Sequence, residues 1–106
     1  MWVIVISMAE HRTIYVDESN YEYAMGLVDA GYFVSFADVL TYSMRYMCDI
    51  AHTYGIRSLP ELDRRNLRRI NVRLPPSLIK ELQDLNFSKN SEIYDLALRF
   101  YSNVRK

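Results

Sequence analysis

At 106 residues, half of them hydrophobic and a quarter charged, the chain suits one small domain, or two very small units sharing a core, and its composition excludes an extended disordered protein. Its one cysteine, Cys48, excludes an internal disulfide framework and fits a reducing interior. The net charge of zero conceals a division: residues 1–56 carry two Lys or Arg against seven acids, residues 57–106 eleven against six. An anionic partner would therefore meet the second half.

The apolar start WVIVI runs only five residues before Ser7 with no basic residue in front of it, too short and wrongly flanked for a signal peptide or a membrane span. A cytoplasmic protein is expected, in a host cell if the source is viral. WVIVIS and TIYV read as short strands rich in β-branched residues. Residues 1–8 are expected to form an extra strand, folded back as a hairpin or paired at the edge of a sheet. Tyr21, Met25 and Val28 then have helical spacing, with Asp17 or Ser19 as the cap and Gly31 as the stop.

From Phe36 the apolar positions fall at Val39, Leu40, Ser43, Met44, Met47, Ile50, Ala51 and Tyr54. This is the stripe of an amphipathic helix of about five turns, ended by Gly55. Residues 56–68 form a polar, basic connector, with one helical turn expected after Pro60. RINVRL is a strictly alternating strand, Arg69, Asn71 and Arg73 on one side, Ile70, Val72 and Leu74 on the other. Pro75-Pro76-Ser77 opens a helix whose face is Leu78, Leu82 and Leu85. The turn NFSKN leads into a last helix with Ile93, Leu96, Ala97, Phe100 and Val104 on one stripe.

Strand, helix, turn, helix thus occurs twice. Aligning Ala37–Met47 with Ser91–Tyr101 pairs Asp38 with Glu92, Ser43 with Ala97, Arg45 with Arg99 and Tyr46 with Phe100. The chain reads as an internal duplication: a first, degenerate unit over 9–55 with a longer loop, the connector over 56–68, and a second unit over 69–106. One strand with two short helices cannot bury its apolar faces alone, so the two units are expected to pair their strands antiparallel on a four-helix core. Such a two-stranded ribbon fits the major groove of DNA, where Arg can bridge guanine O6 and N7, and Asn adenine N6 and N7.

At RINVRLP, the turn and NSEIY, the chain resembles the ribbon-helix-helix family of DNA-binding regulators, of the MetJ/Arc kind, over Arg69 to about Arg105. Its duplicated form resembles tandem members carried by archaeal viruses. The resemblance implies a mainly α fold with a small antiparallel sheet, closed as a single-chain pseudo-dimer. It implies sequence-specific binding of double-stranded DNA in transcription regulation, with bases read by Arg69, Asn71 and Arg73 and phosphate held by backbone amides around Ser88, Lys89, Asn90 and Ser91.

In the first unit the outward strand positions are His11, Thr13 and Tyr15, weaker candidates for DNA contact. Arg12 falls awkwardly on the inward side, and Val34-Ser35-Phe36-Ala37 replaces the phosphate turn. Asn90 and Ser91 also suit plain helix capping. Cys48 and His52, four apart on a helix, could at most hold a metal with His11, and a buried thiol near a histidine is the preferred reading. Tyr42, Tyr46, Tyr94 and Tyr101 read as helix packing rather than base-stacking platforms.

No nucleophile with a base, paired carboxylates or glycine-rich phosphate loop is present, so no enzyme, no cofactor and no small-molecule substrate is expected. Two other classes are a family antitoxin, which would carry a toxin-binding tail beyond the last helix where this chain has Lys106, and an interaction protein that no longer binds DNA. An added strand at residues 1–8 would move aside on binding, change the docking, or pair with a neighbour and assemble chains along DNA.

Overall fold

The computed structural model describes residues 10–87 and 89–105. Strand β1 (Glu10–Asp17) leads into helices α1 (Glu18–Asp29) and α2 (Phe36–Thr53). Strand β2 (Leu67–Leu74) follows, then α3 (Pro76–Asp84), a 3-10 turn over Asn90–Glu92 and α4 (Ile93–Arg105). The described chain is therefore mainly helical with a two-stranded antiparallel sheet and four α-helices, as expected. None of these helices is long and apolar enough to cross a membrane.

Each element starts where its residues dictate. Asp17, extended in backbone, caps α1 by accepting from the Ser19 N–H at 3.1 Å, and its carboxylate also takes the Ser19 hydroxyl. Ser35 caps α2 by accepting from the Asp38 N–H at 3.3 Å. Pro76 opens α3 at a position where an amide would have no helical partner. Beyond the C-caps of α1 and α3, Gly31 (φ 87°) and Asn86 (φ 55°) take left-handed backbone, and Gly55 (φ 76°) does so after α2.

Strands β1 and β2 pair from Glu10 opposite Leu74 to Asp17 opposite Leu67. Alternation sends Ile14, Val16, Val72 and Leu74 inward, where all four are buried, and Ile70 half so. Beneath them lies a single core in which Leu40, Met44 and Met47 of α2 and Leu98 of α4 are fully enclosed. Helix α2 packs most extensively on α4, where the rings of Tyr46 and Phe100 meet at 6.0 Å between centroids.

Several boundaries differ from the sequence reading. β2 begins at Leu67, so Arg68 belongs to the strand, and β1 extends from Glu10 to Asp17. No helical turn follows Pro60: Asn66 C=O accepts the Glu18 N–H at 2.8 Å and Arg64 is tied to buried groups, so the connector is held without local helical bonds. The extra length of the first unit lies mainly in α1, 12 residues against 9 in α3, rather than in its loop. The last helix opens with the 3-10 turn and becomes α-helical only at Ile93.

On α1 the deepest residues are Asn20, Ala24 and Leu27, one position off the Tyr21, Met25, Val28 stripe, because small Ala24 permits close approach and Asn20 has a buried partner. Tyr54 and Val104 are exposed rather than packed, while Tyr42, half exposed, still meets the rings of Phe33 and Tyr101; Cys48 takes the inner place on α2. The expected strand over residues 1–8 lies outside the described residues.

Candidate nucleic-acid interface

The outer face of the ribbon follows directly from the strand register. His11 stands opposite Arg73, Thr13 opposite Asn71 and Tyr15 opposite Arg69, and all six are exposed. The sequence-predicted rows thus lie side by side on one surface. At its centre the Thr13 hydroxyl donates to Asn71 Oδ1 at 2.8 Å.

Many of the other bases are committed, although Arg45, Arg57 and Arg99, like the two arginines of this face, have no ion-pair partner among the described residues. Arg64 pairs with Asp95, Arg65 with Asp63 at 2.8 Å, Lys80 with Asp84 at 3.2 Å, and Arg105 lies over the Tyr32 ring at 4.6 Å. Arg68 reaches Glu18 at 3.3 Å and stacks on Tyr21 with its guanidinium carbon 4.2 Å from the ring centre. Arg69 and Arg73 have no ion-pair partner among the described residues. Their guanidinium groups keep every donor for an outside acceptor.

Arg12 keeps the inward parity that the sequence made awkward. It is opposite Val72, half-buried, and its head reaches Glu10 at 3.3 Å. Tyr94 lies next to it: burial pushes the Tyr94 phenol up, and the Arg12 guanidinium pulls it partly back. Its stem and Nε are buried, the Nε without a hydrogen-bond partner among the described residues, and only the outer part of the guanidinium reaches the edge.

The 3-10 turn of the second unit sits against β1 of the first. Asn90 and Ser91 are exposed, Glu92 N–H closes the turn on Lys89 C=O at 2.9 Å, and the backbone at Lys89 is extended. With Arg12, Thr13 and Tyr15 the turn borders a groove of about 630 Å³. The leading amides of such a turn lack helical partners and carry positive potential. Ser88, the remaining predicted phosphate residue, lies outside the described residues. The matching end of α2 differs: Ser35 caps it, Asp38 brings a negative charge into the first turn, and Val34 is 87% exposed.

A group that the sequence reading missed locks this arrangement. Asp95, wholly buried on α4, accepts from the Asp17 N–H at 2.8 Å and from Asn20 Nδ2 at 2.9 Å through Oδ1, and from Arg64 Nε at 2.8 Å through Oδ2. Arg64 also donates from Nη2 to the Tyr15 C=O at 2.9 Å. One carboxylate therefore ties together the end of β1, the first turn of α1, the connector and α4, and holds the second unit's turn against the first unit's strand. A buried carboxylate persists only with such partners. The signal was an acid inside the apolar run IYDLAL.

Cys48 is buried, its thiol pushed up to about 12 by burial first and by nearby Glu81 next. It is a packed, unreactive group. Among the described residues no cluster of three His, Cys, Asp or Glu stands where it could hold a metal.

Comparison with protein-family models, curated proteins and solved structures finds no match to this chain. The functional reading therefore rests on the residues and their arrangement.

Proposed function

We propose that this chain is a tandem ribbon-helix-helix protein, two strand-helix-helix units closed into a single-chain pseudo-dimer, and that it binds double-stranded DNA sequence-specifically by laying its ribbon in the major groove. The observation that carries the reading is the register that places His11, Thr13, Tyr15, Arg73, Asn71 and Arg69 on one exposed face with both arginines unpaired among the described residues. The major groove admits two strands, and these side chains match its edges: Arg for guanine, Asn for adenine. The meeting of the aligned residues Tyr46 and Phe100 supports the duplication, since equivalent positions touch where a two-fold relation would bring them together.

The 3-10 turn at Lys89, Asn90 and Ser91 supplies the backbone contact. Its amides and the start of α4 favour a phosphate beside the ribbon, on the β1 side. The start of α2 is a poorer place for phosphate, with Asp38 in its first turn and an apolar side chain exposed before it. Regulation of transcription is the role such a reader would serve, and one chain on DNA covers an asymmetric site.

Binding to labelled duplexes tests this. Affinity should fall steeply with salt, because each neutralised phosphate releases counterions. Arg69→Ala, Asn71→Ala or Arg73→Ala should each cost about 1–3 kcal/mol on the preferred sequence and less on random duplex. Light scattering at low micromolar concentration should give the mass of one chain; an obligate dimer contradicts the single-chain core. If all three substitutions leave specific and random binding unchanged, the docking is wrong.

A further inference from the structure

Arg12 lies on the core side of β1, two residues from buried Ile14 and opposite buried Val72. An apolar residue would suit that place, and the second strand has one: aligning the outward rows about Thr13 and Asn71 matches Arg12 with Ile70. The guanidinium is poorly satisfied where it stands. Its Nε is enclosed without a hydrogen-bond partner among the described residues, and its ion pair with Glu10 at 3.3 Å joins two partly exposed side chains. Such a pair stabilises little, whereas an enclosed donor left unmet costs free energy.

The head also stands beside the start of α4. Tyr94, buried in the first turn of that helix, feels its charge, and Arg12 borders the same groove of about 630 Å³ as Asn90 and Ser91. A cation near a helix N-terminus is repelled by the dipole unless an anion lies between them. The described residues lining this groove include a second arginine, Arg64, and no acid. Arg64 is engaged by Asp95 and the Tyr15 C=O, whereas Arg12 has only Glu10 to release. A groove of this charge, open beside the ribbon, fits a phosphate group better than a neutral ligand.

The opposite flank is built differently. There the second strand has Ile70, and the matching helix, α2, begins with Asp38 in its first turn behind exposed Val34. A ribbon lying in the major groove has one DNA backbone along each of its edges. The two backbones therefore meet unlike surfaces.

We propose that Arg12 is a phosphate ligand: on DNA its guanidinium leaves Glu10 and, with the turn at Asn90 and Ser91, holds one backbone phosphate, so that the chain grips one DNA strand more firmly than the other. The inference rests on the major-groove reading proposed above. Glu10, itself exposed, is left to solvent. The first unit thereby gains a part in affinity rather than in base choice.

Duplexes carrying the selected site, with single phosphates made neutral as methylphosphonates along either strand, test this at fixed salt. For the unaltered chain one linkage, on one strand, should stand out with a loss of about 10-fold, the low end for a hydrogen bond to a charged group. This profile tests the strand difference without any substitution. Arg12→Met, which keeps the buried stem without the charge, should weaken binding about 10-fold to every duplex and lower the salt dependence by about one counterion. Base preferences should stay. With this variant, neutralising the sensitive linkage should cost less than about 3-fold more, because the two changes remove the same contact. Arg12→Lys, which keeps the charge without the fork, should recover part of the affinity.

A purely structural Arg12 gives another pattern: Arg12→Met would lower the urea midpoint and leave the linkage profile and the salt dependence unchanged. That outcome, or equal losses on both strands with the unaltered chain, would overturn the proposal while leaving base readout by Arg69, Asn71 and Arg73 intact. If alanine at those three positions leaves binding unchanged, the docking itself fails and takes this inference with it.

Discussion

The two units share one plan and divide its chemistry. Both give a strand, a first helix with a left-handed residue beyond its C-cap, and a second helix whose inner face meets its counterpart. On the ribbon, the second unit presents Arg69, Asn71 and Arg73 and the first presents His11, Thr13 and Tyr15. The second helices begin differently too, one with a 3-10 turn beside the ribbon, the other with a serine cap and an acid. A symmetric fold needs only matched apolar stripes, which tolerate wide exchange of outward residues. On the proposed reading, the two exposed strand faces therefore need not carry the same charge.

The sharpest break in the comparison is at Asp95, whose aligned partner in the first unit is the half-buried Thr41. Asp95→Ala removes the carboxylate and strands Arg64, Asn20 and the Asp17 amide, and should cost about 3–5 kcal/mol in urea unfolding. Thr41→Ala should change stability by less than about 0.5 kcal/mol. Equal losses at both places would mean that the network does not lock the fold.

Next come the strand rows. Alanine at Arg69 or Arg73 should weaken binding to the selected site by about 1–3 kcal/mol, while alanine at His11 or Tyr15, their cross-strand neighbours, should cost less than about 1 kcal/mol. Competition titrations at fixed salt would rank them. A larger loss on the β1 side would reverse the assignment of the reading strand.

The helix starts give a smaller and more diagnostic contrast. Asn90→Asp adds a charge that suits a helix start and repels phosphate, so stability should hold or rise slightly while affinity falls by about 1 kcal/mol on all sequences alike. Val34→Asp should affect binding less. The contrast that is silent at neutral pH concerns Cys48, which corresponds to buried Ser102. Because its folded thiol titrates near 12, above the value of about 9 for an exposed one, its contribution is intact below pH 9 and is lost as pH rises from 9 towards 12. Cys48→Ala should flatten that alkaline decline, measured by urea midpoints across this range.

Much of this was legible in the residues. The alternation of RINVRL, the stripe from Phe36 to Met47, and the stops at Gly31 and Gly55 each follow from a period or a backbone preference, and the structure has them in place. Apolar periodicity could not see groups that are buried because they are paired. Asn20, Arg64 and Asp95 are polar, distant in sequence and joined only by folding. The early start of β2 was hidden because Arg68 stands at an inward position yet finds Tyr21 and Glu18 at the ribbon's end. The bond between Thr13 and Asn71 needed the strand register, which no local pattern encodes.

Selecting bound sequences from random duplex DNA, with the unaltered chain and with Arg69, Asn71 and Arg73 all changed to alanine, tests the central claim most directly. The account predicts an asymmetric preferred site for the unaltered chain, and for the triple variant residual salt-sensitive binding with that preference gone. Recovery of the same site by both proteins, or of no site by the unaltered chain, would contradict it.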